Sequence, residues 1–181
     1  CATVNPNTES DERYSFTTDC AWDHLPFTSS LAEMAQRTAA CCFGSLAQRN
    51  PTTRHAIARY IDAMPDDSLK IFDVNLRPPF IDPDVIRRSL YLCNILKLNT
   101  DELDTLVPLI GLPDGSDEAQ CRRLMQRFDI SYVVLTQGEE GSSIFAPDES
   151  STLPASPVKV VDTVGAGDAF TATFAVGLLS G

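Results

Sequence analysis

The residues of this chain best suited to chemistry stand in one stretch, Val161-Asp162-Thr163-Val164-Gly165-Ala166-Gly167-Asp168-Ala169-Phe170. An apolar run leads directly into Gly-Ala-Gly, and a helical pattern follows at once. Glycines at a strand-to-helix turn let the backbone curl until its N–H groups converge, and the helix dipole adds partial positive charge there. Such a turn holds a phosphate without a basic patch. Asp168 stands in the first turn beside it. A carboxylate placed there is a weak base. Phosphoryl transfer tolerates this, because its loose transition state asks only that the attacking hydroxyl be oriented and lose its proton late. The competing reading is that Asp168 simply starts a helix. The loop lacks the Lys-Ser/Thr ending of a Walker A sequence and the third glycine of a dinucleotide fingerprint.

Three further segments bear polar groups where strands are expected to end. Asp73-Val74-Asn75-Leu76-Arg77 follows one apolar run, and Asn99-Thr100-Asp101-Glu102 follows another, with Lys97 just before it. Thr136-Gln137-Gly138 closes a third. Taken singly they read as turn chemistry, helix capping and a hairpin bend. Together with the Gly-Ala-Gly turn they fall at the carboxyl ends of strands, where open α/β sheets bind ligands.

The elements that must position these residues alternate. Ser30 with Glu33 reads as a capping box opening a helix to about residue 37. A strand is expected over 39–43 and a helix after Pro51, with Ile57, Tyr60, Ile61 and Met64 on its buried face and His55 turned to solvent. A strand over 69–73 precedes a helix announced by Asp82-Pro83. A strand over 94–98 precedes a helix capped by Thr100, and Ser116 opens another. Residues 131–136 read as a strand, 137–141 as a turn, 142–146 as its hairpin partner and 158–161 as a last strand. The closing helix, 168–179, is apolar nearly all round and is expected to be central and buried. Residues 1–4 and 13–18 read as a hairpin outside the main sheet, joined by the turn-rich stretch 5–12. Strands alternating with helices predict an α/β fold, a doubly wound, mostly parallel sheet with helices on both faces.

Composition bounds the function. The 181 residues are 43% hydrophobic and carry a net charge of −11, which argues against coating nucleic acid or an anionic membrane. No run approaches the eighteen apolar residues of a membrane span, and no basic flank with an apolar run marks a signal peptide. The six cysteines include no Cys-x-x-Cys; they are expected as reduced, buried thiols in a cytoplasmic protein. His24 and His55 complete no zinc set with such scattered sulfur.

The 162–170 segment resembles the C-terminal signature of the ribokinase-like (PfkB) carbohydrate kinases. Asp-x-Asn-x-Arg at 73–77, Asn-x-x-Glu at 99–102 and Thr-x-Gly-x-x-Gly at 136–141 fall in that family's order. Ala21-Trp22-Asp23 and the Phe43-Gly44-Ser45 run most resemble its fructokinase-like branch. The resemblance implies an ATP-dependent kinase acting on a sugar hydroxyl, with Asp168 as base and the backbone of Gly165, Ala166 and Gly167 as anion hole. It implies that Asn99 and Glu102 organise Mg²⁺ and its water, that Arg77 and Lys97 lie near the phosphates, and that Thr136 and Gly138 border the nucleotide. Asp162 and the Val164 carbonyl match positions that hold a monovalent cation, K⁺, in some members. Residues 1–28 would be part of a small β lid, able to pair in a homodimer, and 29–181 the kinase core.

The family's glycine-rich sugar-binding segment has no counterpart, and the chain stops at the signature helix. It therefore reads as an internal part of a kinase, with Trp22 the only candidate for the sugar side and an uncovered apolar face that favours association. A non-catalytic nucleotide- or partner-binding module and a nucleoside kinase are the alternatives.

Overall fold

A computed structural model describes residues 2–4, 14–159 and 162–181. Two sheets are formed. Strands β1 (Ala2–Val4) and β2 (Tyr14–Phe16) pair antiparallel, Ala2 opposite Phe16, as a separate hairpin; its expected turn lies outside the described residues. The main sheet comprises β3 (Ala40–Gly44), β4 (Leu69–Asp73), β5 (Ile95–Asn99), β6 (Tyr132–Thr136), β7 (Ser142–Phe145) and β8 (Ser150–Leu153), neighbours in that order. The first four run parallel and the last two return antiparallel. The mostly parallel α/β sheet expected from the sequence is thus formed.

Helices α1 (Ser29–Ala35), α2 (Pro51–Asp62), α3 (Pro83–Leu92), α4 (Thr100–Leu109), α5 (Asp117–Phe128) and α6 (Ala166–Ser180) connect and cover it. Their starts follow local chemistry. Asp82 accepts the amides of Asp84 and Val85 at 2.9 and 3.3 Å with Pro83 behind it, and Ser116 accepts that of Ala119. Two expected caps are displaced. Thr28, not Ser30, caps α1 by accepting the amide of Leu31. Asn99, not Thr100, caps α4, because its side chain takes the amide of Glu102 at 2.8 Å and leaves Thr100 inside the helix.

Strand alternation divides the core. Phe72, Leu96, Leu98, Val133 and Leu135 point to one face and meet Ile61, Ile86, Leu90, Leu106 and Leu124 in a sealed cluster. Ile71, Ile95 and Val134 point to the other and meet Phe170, Phe174, Ala175 and Leu178 of α6. Helices thus lie on both faces, but α6 is not the buried central helix its composition suggested. Only Thr171 is buried, while Val176 and Leu179 stay 62% and 53% exposed, because one stripe of α6 touches the sheet and nothing described covers the rest.

The expected strand over 158–161 does not form at 158–159, and 160–161 lie outside the described residues; β8 stands where none was expected. Among the described residues no disulfide forms, but Cys42 is exposed and Cys20 and Cys41 only half-buried; Cys93 and Cys121 are buried as expected. His55 is exposed as predicted.

Candidate active site

Parallel register carries the polar segments to one edge. Gly44 pairs with Asp73, Asp73 with Lys97, and Asn99 with Thr136, so β3 to β6 end side by side. α6 lies across the Ile71–Ile95–Val134 face and brings its first turn to the same edge. A short apolar strand placing its last residue at the carboxyl end is enough to assemble the group.

The loop before α6 has the form of an anion cradle. Asp162 Oδ1 accepts the amide of Val164 at 3.0 Å, and the Ala166 amide donates to the Thr163 carbonyl at 3.1 Å. Gly165 turns the chain at φ 79°, a left-handed conformation that a side chain resists. The amides of Gly165, Gly167 and Asp168 carry no hydrogen bond among the described residues, whereas that of Ala166 is already spent on the turn. Three donors remain at the positive end of a fifteen-residue helix, with the exposed Asp168 among them.

Asn99 and Glu102 form a reciprocal capping box. The Glu102 amide donates to Asn99 Oδ1, and the Asn99 amide donates to Glu102 Oε2 at 3.0 Å. Glu102 Oε1 accepts the Leu76 amide at 3.0 Å. This contact exists because Asn75 takes φ 41° and turns the chain after β4 back toward α4. Glu102 is buried, and burial pushes its carboxyl up against the opposing pull of the two amides. With each oxygen holding an amide proton and 8% of the residue exposed, Glu102 suits a metal-bound water better than direct ligation.

The remaining expected residues fall nearby. Thr136 Oγ1 donates to the Leu98 carbonyl at 3.4 Å, and exposed Gly138 opens the turn after β6 at φ 58°. Arg77 donates to the Leu76 carbonyl at 3.0 Å. Among the described residues no cluster of three or more His, Cys, Asp or Glu is arranged to hold a metal, and no helix is long and apolar enough to cross a membrane.

Lys97 is not a free cation. Its ammonium lies 3.1 Å from both carboxylate oxygens of Asp73, with the two side chains only 12% and 10% exposed. Burial and the neighbouring Asp168 push the Asp73 carboxyl up, while Lys97 pulls it down. Thr171 points its hydroxyl at the same place, 3.0 Å from the Gly167 carbonyl and 3.5 Å from Asp73 Oδ2. Sequence reasoning took Asp73 only as part of the Asp-x-Asn-x-Arg segment and passed over Thr171. A lysine inside Ile-Leu-Lys-Leu was the available signal, since a buried cation demands a partner on a neighbouring strand.

In the N-terminal segment, Asp23 is buried and paired with Arg49 at 2.8 Å through both oxygens. The guanidinium lies 4.7 Å from the ring centroids of Trp22 and Phe80, and Nη2 also donates to the Thr17 carbonyl.

A sequence profile described as pfkB family carbohydrate kinase matches residues 22–181. The chain is 37% identical to a fructokinase of Klebsiella pneumoniae over 114 residues, 59% of this chain and 35% of that protein. It is 28% identical to a fructokinase of Rhizobium leguminosarum bv. trifolii over 164 residues, 88% of this chain and 48% of that protein. Its fold matches the fructokinase of Vibrio cholerae O395 solved with fructose, ADP and calcium ion, with TM-score 0.75 and 24% identity over 94% of this chain and 55% of that one. The chain spans between a third and a half of the length of these two curated relatives.

Proposed function

Since the chain belongs to the pfkB family of carbohydrate kinases, we propose that its site transfers the γ-phosphoryl group of ATP to a hydroxyl of fructose or a related sugar. The observation that carries this reading is the α6 N-terminus: the amides of Gly165, Gly167 and Asp168 have no hydrogen-bond partner among the described residues there, Asp168 stands in the first turn, and the turn lies at the carboxyl edge of a parallel sheet. Asp168 orients the sugar hydroxyl and accepts its proton as the O–P bond forms. The amides take up charge on the transferred phosphoryl oxygens, a role for preorganised donors that need not move. Ala166 shapes the loop, its amide being engaged by Thr163.

Mg²⁺, when bound, neutralises phosphate charge; Glu102 and Asn99 would hold its water rather than the ion. Arg77 lies toward the phosphates, and Thr136 and Gly138 border the nucleotide. The Asp162 carboxylate, which accepts the Val164 amide, and the Val164 carbonyl are the pair for K⁺. Residues 1–28 act as part of a lid over the sugar and 29–181 as the core.

The test is acceptor-dependent ADP formation by the purified protein, with fructose, ribose and adenosine as acceptors. Asp168→Asn is expected to lower turnover by about 10²–10⁴-fold while leaving the KM for ATP within a few-fold. Turnover within a few-fold of the unsubstituted protein overturns the role of Asp168. Preference for adenosine moves the reading to a nucleoside acceptor.

A further inference from the structure

Resting on the phosphoryl-transfer reading above, we propose that Lys97, Asp73 and Thr171 form a polar pin that seats the first turn of α6, and that Lys97 is a positioning residue rather than a phosphate ligand. The pin is built from three elements. Asp73 ends β4, Lys97 is its register partner on β5, and Thr171 is the one buried residue of α6. Both carboxylate oxygens of Asp73 face the ammonium at 3.1 Å. The Thr171 hydroxyl lies 3.0 Å from the Gly167 carbonyl and 3.5 Å from Asp73 Oδ2, its one proton shared between these two acceptors at the start of α6.

Gly167 itself rests on the ammonium. A Cβ added there would stand 3.0 Å from Lys97 Nζ, tighter than ordinary contact, so a side chain would require the ammonium to give by a few tenths of an ångström. The second glycine of Gly-Ala-Gly is thus where α6 comes nearest the pin, while the first supplies the turn at positive φ.

The pin matters because little else locates α6. Its apolar contacts with the sheet come from Phe170, Phe174, Ala175 and Leu178, none fully buried, on one stripe of the helix. Apolar contact is non-directional and tolerates sliding along the strands. A charge-assisted pair with a hydroxyl does not. It sets where the amides of Gly165, Gly167 and Asp168 stand, and a phosphoryl-transfer site loses about 10²-fold for a misplacement near 1 Å. A lysine reaching for phosphate would instead keep its ammonium uncommitted, and this one is neutralised in place.

Two measurements on Lys97→Met, Asp73→Asn and the double variant decide the matter. In steady-state kinetics each single variant is expected to lose kcat by roughly 10- to 100-fold with the KM for ATP within threefold, and the double variant is expected to be no worse than either single one. A phosphate ligand predicts the contrary: Lys97→Met raises the KM for ATP tenfold or more, while Asp73→Asn, which frees the ammonium, leaves or lowers it. That result overturns the proposal.

The second measurement needs no turnover. Amide hydrogen exchange at 165–171 should quicken equally in the two single variants, relative to Val133–Leu135 in the central strand as reference. Unchanged relative exchange there overturns the pin. If the unsubstituted protein turns over no acceptor, the kinase reading fails while exchange still judges the pin.

Discussion

The two faces of the main sheet are held by different physics. On one, Phe72, Leu96, Leu98, Val133 and Leu135 are sealed beneath α2 to α5. On the other, Ile71, Ile95 and Val134 meet a single helix, and the polar triad of Asp73, Lys97 and Thr171 stands at the end of that contact. The sealed face supplies most of the burial and directs only the Asn99–Glu102 box at the start of α4 toward the site. The open face contributes less burial, yet it presents the loop proposed to hold the transferred phosphoryl group. Stability and positioning are thus separable in this molecule, and substitutions on the two faces should fail differently.

The largest stability effect belongs to the sealed face. Phe72→Ala removes a fully buried ring stacked 5.4 Å from Phe43 and is expected to cost about 3–5 kcal/mol, read from urea denaturation. Phe174→Ala, half-buried on α6 beside Tyr132, should cost well under that. Equal losses would break the distinction between the faces.

Next is the element that serves both. Asn99→Ala removes the cap of α4 and one side of its reciprocal box, at a cost near 1 kcal/mol in the same denaturation measurement. Because Glu102 is held by that box, the KM for Mg²⁺·ATP should rise as well. A stability loss with an unchanged KM would restrict the Asn-x-x-Glu motif to capping.

The Asp23–Arg49 clamp is distinguished by acid. Hydrogen bonding to Arg49 holds the Asp23 carboxyl well below the usual carboxylate range. Its contribution is therefore complete above the unfolded value of about 3.9 and declines as pH falls through the native one. Burial shifts Asp73 and Glu102 the other way, so the native state holds their protons longer and their effect runs toward lower stability as pH rises. Asp23→Asn should flatten the fall in urea midpoint between pH 6 and pH 3. An undiminished fall in that variant would assign the acid sensitivity elsewhere.

The smallest effect concerns the surface. Val164, Val176 and Leu179 are more than half exposed, and β3 has an unpaired edge among the described residues, beside a pocket of about 380 Å³ lined by Leu25, Leu31, Cys41 and Ile57. Weak self-association is expected, seen in sedimentation velocity as mass rising with concentration and reduced by Leu179→Lys. A concentration-independent monomer would show that these apolar surfaces are too scattered to associate.

Much of this was legible in the residues. Asp82-Pro83 and Ser116 announce their helices because capping is a contact between neighbours in sequence. Caps were misplaced where two candidates stood close, as at Thr28 and Ser30, since only geometry decides which oxygen reaches the amide. The all-round apolar composition of α6 suggested burial, but composition states what a helix could cover and not what covers it. The segments at 73–77, 99–102 and 136–138 were picked out by type and by their position after strands, and 165–168 by its glycine-rich turn into a helix, although the strand expected before it does not form at 158–159. Asp73 was read only as part of a turn, and Thr171 was missed.

By itself the sequence determined the alternation of strands and helices, the helix starts and the Gly-Ala-Gly-Asp turn, because each depends on residues within a few positions of one another. Only the tertiary structure decided that Lys97 belongs to Asp73 and that the start of α6 lies against that pair, with Gly167 nearest the ammonium. Those facts arise from strand register and from the seat of a helix some seventy residues further along the chain. Local propensity carries no information about such distances; packing does.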